Sequence, residues 1–319
     1  MSLSPSGVTL AVTAGDPRGI GPEVVAAAAA TLLDEDPAVG LTILAPEGVE
    51  FPPGLQVERV PGWDGTEEGA GRASVNAIRR GVEMALAGEV MGLVTGPVHK
   101  PALHAAGWPF PGQTELLQSL TGVPAVGMLM AAERTRIGPP LRVLLATTHM
   151  ALRDVPGRLS PELLVEQTTL LHHSLSTGWG IESPRLALCA LNPHASDGGL
   201  FGHEEETIME PALRTLRGAG IHVEGPLPAD TVFRRALDGA LDAVVVPYHD
   251  VGMAAFKTVA FGSGVNVTLG LPFPRTSPDH GTAFDLAGRG LADPSSTLEA
   301  MRLALRIARR HFDTSRSHL

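Results

Sequence analysis

Val8-Thr9-Leu10-Ala11-Val12-Thr13-Ala14, followed by Gly15-Asp16-Pro17-Arg18-Gly19-Ile20 and then Gly21-Pro22-Glu23-Val24-Val25-Ala26-Ala27-Ala28-Ala29-Ala30-Thr31-Leu32-Leu33, is the stretch that decides the fold. The first piece is a short apolar run bounded by glycine, which reads as a buried strand. The last is a longer alanine- and leucine-rich piece of helical length. The glycine-rich turn between them permits positive φ and close backbone approach. A helix N-terminus directly after such a turn favours an anion. The turn is not Gly-x-Gly-x-x-Gly. Neither that pattern nor a Walker A pattern occurs elsewhere, so a dinucleotide would bind here without a Rossmann fingerprint.

The same alternation continues along the chain. Strands are predicted at 8–14, 41–45, 91–95, 125–130, 142–147, 185–191, 222–225, 243–247 and 265–269. Helices are predicted at 21–33, 73–86, 115–120, 161–175, 204–217, 231–237 and 296–311. Strand and helix in alternation indicate βαβ units and a largely parallel sheet. Ser160-Pro161-Glu162 supplies a cap and a Pro at the first helical position, and Asp293-Pro294-Ser295 does the same before the last helix.

Composition narrows the function. The 319 residues carry 24 basic and 34 acidic side chains, a net charge of −10, which argues against a nucleic-acid binder needing a basic face. No apolar run is long enough to span a bilayer. The N-terminus lacks the basic start of a signal peptide, so a cytoplasmic protein is expected. A single cysteine, Cys189, excludes an intrachain disulfide and a cysteine-rich zinc site. Only two of the 24 basic residues are lysine, Lys100 and Lys257. A lysine kept against that bias points to a role that arginine cannot fill.

Three histidines share one context. His149, His194 and His249 each follow a buried-looking strand by one to three residues. In open parallel sheets, ligands bind beyond the carboxyl ends of strands. Three imidazoles there can form a divalent metal site, although each also reads as an ordinary turn residue. Asp154, Asp197 and Asp250 follow them closely and can orient them as hydrogen-bond acceptors. Lys257, Asn266 and Arg275 stand nine residues apart, a set suited to a phosphorylated or carboxylated substrate, or to a solvated loop. The segment 95–100 ends a strand with polar groups and the other lysine. The segment 276–290 is too polar and glycine-rich for a core strand. His172-His173 and His318 look solvent-facing.

Together, residues 15–23, 95–100, Gly112-Gln113-Thr114-Glu115, Leu191-Asn192-Pro193-His194, 225–231, Tyr248-His249-Asp250 and 277–285 resemble the 4-hydroxythreonine-4-phosphate dehydrogenases of the vitamin B6 pathway. The resemblance runs from Gly15 to Pro294, and the last segment also looks like the cofactor loop of isocitrate and isopropylmalate dehydrogenases. It implies two α/β/α domains around a largely parallel sheet, with the active site in the interdomain cleft. One domain would take 1–110 with 262–319 and the cofactor loop. The other would take 111–261 with the metal ligands and dimer contacts. The resemblance implies a divalent ion (zinc, magnesium, cobalt or manganese) on His149, His194 and His249, in a site shared between the subunits of a homodimer. Substrate contacts fall on Lys257, Asn266, Arg275 and the pair Gln113-Thr114. Gln113 departs from the commoner histidine, and only histidine can move a proton near pH 7. Lys257 and Asp250 are the catalytic candidates. Asp279, His280, Gly281, Thr282 and Asp285 are the candidates for binding NAD.

The implied reaction oxidises the C3 hydroxyl of 4-phosphooxy-threonine with NAD. The resulting β-keto acid then loses carbon dioxide to give 3-amino-2-oxopropyl phosphate. The near alternative is the same chemistry on a phosphorylated sugar acid such as 4-phospho-threonate or 4-phospho-erythronate. The distant one is a metal-dependent phosphate-ester binder or hydrolase that reduces no NAD.

Overall fold

In the computed structural model, which describes residues 7–317, the chain forms two compact α/β units. One comprises residues up to Pro124 and from Val265 on; the other is Ala125–Gly264. The N-terminal start and His318 lie outside the described residues.

The first unit begins with β1 (Thr9–Thr13), α1 (Gly21–Glu35), β2 (Gly40–Pro46), β3 (Val57–Val60), α2 (Glu67–Leu86), β4 (Gly92–Thr95), α3 (Lys100–Ala105) and α4 (Gln113–Thr121). The chain then builds the second unit: β5 (Gly127–Ala132), β6 (Leu141–Leu145), α5 (Val155–Arg158), α6 (Pro161–Ser174), β7 (Leu186–Cys189), α7 (Glu210–Gly218), β8 (Val223–Leu227), α8 (Ala229–Leu237), β9 (Ala243–Val246) and α9 (His249–Ala260). It returns to the first unit with β10 (Val265–Leu269), β11 (Arg275–Pro278) and α10 (Ser295–Ser317).

Strands of the first unit run in the order β3-β2-β1-β4-β11-β10, all pairs parallel except β10 with β11. Those of the second run β5-β6-β9-β7-β8, all parallel except β5 with β6. Leu10, Ala11 and Val12 of β1 and Val244, Val245 and Val246 of β9 are fully buried, as expected for strands covered on both faces. Among the described residues no helix is long and apolar enough to cross a membrane.

The domain boundary differs from the sequence expectation. Residues 111–124 belong to the first unit, because Leu116 and Leu117 of α4 are fully buried in a core with Val75, Ile78 and Leu103. Residues 262–264 belong to the second. Helix α2 starts six residues before the predicted 73, at Glu67, because Thr66 caps it by accepting from the Gly69 N–H at 2.9 Å. The Ser160 cap of α6 is present, with Leu163 N donating to Oγ at 3.1 Å.

Candidate functional site

The second unit places the three histidines at one edge. β6, β9 and β7 are neighbouring parallel strands, and His149, His249 and His194 follow their carboxyl ends in that order. Thr147 Oγ1 donates to Pro247 O at 2.7 Å and ties the end of β6 to the end of β9. The His149 and His249 rings consequently lie with centroids 5.2 Å apart, beside a pocket of 390 Å³ lined also by Thr148, Met150, Tyr248 and Asp250. His249 opens α9, and its Nδ1 lies 2.7 Å from Asp250 Oδ1. That contact leaves Nε2 as the nitrogen available to a ligand. Asp154 pairs instead with Arg153 at 3.9 Å. His194 is not drawn into the pair: among the described residues, no three His, Cys, Asp or Glu side chains are grouped to hold a metal ion. By donor chemistry, neutral imidazoles at adjacent strand ends suit a divalent transition ion, and two of the three stand together.

His194 sits in an unusual backbone. His194, Ala195, Ser196 and Asp197 all have positive φ (54°, 55°, 69° and 45°), a left-handed run of four non-glycine residues. Such a run costs about 1–2 kcal/mol per residue. A buried carboxylate offsets this. Glu205 Oε1 accepts from Leu191 N at 2.9 Å and Asn192 N at 2.7 Å, while Oε2 accepts from Asn192 Nδ2 at 2.9 Å and from Ser196 Oγ. Four hydrogen bonds to a charged group are worth about 1.5–3 kcal/mol each before desolvation, the same order as the strain. Burial raises the Glu205 carboxyl, but the bonds from Ser196 and Asn192 prevail and hold it below the usual carboxylate range. The sequence reading placed a helix start at 204 and missed this role. The signal was the acidic run Glu204-Glu205-Glu206 shortly after Asn192-Pro193-His194.

Lys257 lies on α9, two turns beyond His249, with Nζ 5.9 Å from the Phe261 ring centroid. It is half-buried on a helix, where the sequence left a loop open.

In the first unit the site is a buried cation. Arg275, on β11, is 1% exposed and donates to Thr268 Oγ1 at 2.8 Å, Thr95 Oγ1 at 2.5 Å and Gln113 Oε1 at 3.0 Å. All three partners are neutral. Burial pushes the guanidinium down to about 9, opposed by Glu115. Its Nε and the Asn266 Oδ1 on neighbouring β10 are buried without a hydrogen-bond partner. Gln113 opens α4 and also donates through Nε2 to Gly96 O at 3.0 Å, and Thr114 beside it is buried. Gln113 is thus joined to Arg275 by hydrogen bond, and Asn266 is one strand away. Thr268 is a further member that sequence reading did not single out, whereas Thr95 opens the segment 95–100 that it did.

The glycine-rich turn packs against the 280–286 loop. Gly15 takes φ +79°, and a Cβ there would lie 2.3 Å from Pro97 O. Gly19 is equally confined, its Cβ position being 2.6 Å from Thr282 O, and Ile20 N donates to that same oxygen at 2.9 Å. Arg18 wraps the fully buried Asp16 through Nη2 to Oδ2 at 2.8 Å and lies 5.1 Å from the Phe284 ring centroid. A cleft of 750 Å³ opens on this turn, lined by Arg18, Gly19, Glu23, Ala27, Glu50 and Gly288 among others. Its size suits a cofactor. Asp279 is engaged with Ser296 of α10, whose Oγ accepts from its N–H at 3.1 Å. His280 Nδ1 bonds Gly281 O at 3.0 Å, while its Nε2 is buried without a hydrogen-bond partner. Asp285 is exposed. Of the 279–288 stretch, Ala287 and Gly288 wall the cleft, and the five predicted cofactor residues do not.

Strand-end imidazoles, a buried cation with neutral hydrogen-bond partners and a glycine-rich turn without a Rossmann fingerprint thus stand together on largely parallel α/β units. In fold the chain is similar to a β-decarboxylating dehydrogenase from Thermococcus kodakarensis (TM-score 0.54, 15% identity, covering 96% of this chain and 88% of that one). The chain belongs to the family described as pyridoxal phosphate biosynthetic protein PdxA, which it matches over residues 45–304. It is 43% identical to a 4-hydroxythreonine-4-phosphate dehydrogenase of Chromobacterium violaceum, over 95% of this chain and 98% of the relative. It is also similar to the crystal structure of a 4-hydroxythreonine-4-phosphate dehydrogenase from Klebsiella pneumoniae (TM-score 0.84, 35% identity, covering 97% of this chain and all of that one).

Proposed function

We propose that this chain catalyses the NAD-dependent oxidation of 4-phosphooxy-L-threonine at its C3 hydroxyl, with decarboxylation of the β-keto acid to 3-amino-2-oxopropyl phosphate, for pyridoxal phosphate biosynthesis in the cytoplasm. The observation that carries the reading is Arg275, a buried cation with neutral partners, next to the unpartnered Asn266 Oδ1. A guanidinium kept charged at that expense supports an anionic substrate group as its counter-charge.

Arg275 binds the phosphate, and Asn266 accepts a hydrogen bond from a substrate hydroxyl or amine. Gln113 holds the guanidinium in plane by bonding it and Gly96 O at once. Thr114 adds a hydroxyl donor. Lys257 is the group that takes the proton of the C3 hydroxyl while the C3–H bond gives up its hydride, and Asp250 orients His249 through Nδ1. His149, His249 and His194 would hold a divalent ion, which supplies polarisation of the alcohol and of the ketone during loss of carbon dioxide. NAD supplies the hydride acceptor. The 750 Å³ cleft over the glycine-rich turn would take it, with the unpartnered Glu23 Oε1 as a hydrogen-bonding group. Homodimerisation would complete the metal site, which one chain leaves with two grouped imidazoles.

The test is NADH absorbance after 4-phosphooxy-threonine and a divalent metal are added to the purified metal-free protein. Turnover only with 4-phospho-threonate or 4-phospho-erythronate would move the substrate. Phosphate release without NADH would overturn the reading.

A further inference from the structure

We infer that Glu205 is a positioning residue for His194, holding the left-handed turn that carries this imidazole through one carboxylate bonded on both sides of it. The inference rests on the reading of His194 as a metal ligand. Glu205 is 4% exposed, and its four bonds go to residues 191, 192 and 196. Oε1 fixes the backbone entering the turn, and Oε2 fixes Asn192 and Ser196, with His194 midway between them. Gly198 and Gly199, at φ 69° and 95°, extend the left-handed path, so the whole segment is backbone that L-residues seldom adopt unaided. Without the clamp, residues 194–197 relax toward ordinary φ. That change swings the His194 Cα–Cβ bond to another direction and removes the imidazole from the edge it shares with the ends of β6 and β9. With the clamp in place, the direction of the His194 Cα–Cβ bond is fixed before any ion binds. Ligand-supporting partners of this kind typically change metal affinity by about 10–100-fold when removed.

The experiment uses the full-length metal-free protein and Co²⁺ alone, titrated by calorimetry, beside steady-state kinetics. Glu205→Gln retains size and one acceptor oxygen but breaks the two-sided clamp. It should weaken Co²⁺ binding by about 10–100-fold and lower kcat while leaving KM for the phosphorylated substrate unchanged. The double variant His194→Ala/Glu205→Gln should bind Co²⁺ no more weakly than His194→Ala alone, because the clamp acts only through that imidazole. Ser196→Ala, which removes one leg, should show a smaller loss in the same direction and decides the matter if Glu205→Gln does not fold. Wild-type Co²⁺ affinity in Glu205→Gln or, failing that, Ser196→Ala, while His194→Ala loses it, would overturn the inference alone, as would additive losses in the double variant. Wild-type affinity in His194→Ala would instead remove the ligand reading beneath it, and the inference with it.

Discussion

Replacing Arg275 with methionine separates folding from binding at the buried cation. The guanidinium is 1% exposed and pushed down to about 9 by burial. This lies roughly three to four pH units below ordinary arginine, so at about 1.4 kcal/mol per unit the folded protein carries a charge penalty on the order of 5 kcal/mol. Methionine removes the penalty and fills similar volume. It also leaves Thr268, Thr95 and Gln113 each without one donor, at about 1 kcal/mol apiece. The balance is a variant about 0–2 kcal/mol more stable than wild type, read by urea unfolding. The pH dependence has a definite sign. In the folded state the group holds its proton less tightly than in the unfolded state. The penalty is therefore fully present below about pH 9 and is relieved as pH rises above it, narrowing the gap between variant and wild type. Binding moves the other way. Two charge-assisted bonds to phosphate, at about 1.5–3 kcal/mol each, are lost, so KM should rise by at least about 100-fold. A variant destabilised by more than about 2 kcal/mol that keeps the wild-type KM would show that Arg275 is structural and refute the reasoning.

Lys257→Arg keeps the charge but not the compact, titratable ammonium; kcat should fall at least about tenfold, or roughly 1.4 kcal/mol of transition-state stabilisation, in steady-state assays. Arg214→Lys, on an exposed face of α7, should be silent in the same assays. If the exposed Asp285, a candidate for binding NAD by resemblance, faces the adenosine ribose, its carboxylate would repel a 2′-phosphate and kcat/KM should favour NAD over NADP; a preference for NADP would remove Asp285 from the cofactor site. Cys189 is fully buried and its thiol is pushed up to about 12, chiefly by burial and then by Asp230 and Glu205, so iodoacetamide should label it only after denaturation, as mass spectrometry can check. If the site is shared between subunits, mixing inactive His249→Ala and Arg275→Met proteins should restore activity in hybrid dimers; absence of recovery together with a monomeric mass by light scattering would rule sharing out.

Elements built on apolar periodicity were legible in the sequence. β1, β2, β9 and β10, and helices α1 and α6, appear within two residues of their predicted spans, and α10 starts within one residue of its own but runs six residues further. The strand-end placement of the three histidines follows from those strands. What escaped is polar yet buried. β11 reads Arg275-Thr276-Ser277-Pro278, which no hydrophobic pattern marks as a strand, yet all four residues are buried between β4 and β10. Its polar groups are satisfied by partners distant in sequence, such as Thr95 and the Ala300 carbonyl. Helix α9 was hidden because His249-Asp250 reads as the end of a strand, whereas Tyr248 turns the chain and the helix begins at once. The Glu205 clamp joins residues 9 to 14 apart, and two of its four bonds come from backbone N–H groups, which carry no side-chain signature.

The return of the chain to its first unit has a consequence for synthesis on the ribosome. Strands β1 to β4 are made early, but their sheet continues through β11 and β10, which follow the entire second unit. The second unit holds all its strands once Gly264 has emerged and can fold as a block. The first must wait for roughly 50 more residues, about 3–10 s at elongation rates of about 5–20 residues per second. Throughout that interval the edge of β4, with its bare backbone amides and carbonyls, faces the crowded exit region with no partner strand. A nascent chain stalled between residues 265 and 295 is therefore the form of this protein most in need of a chaperone.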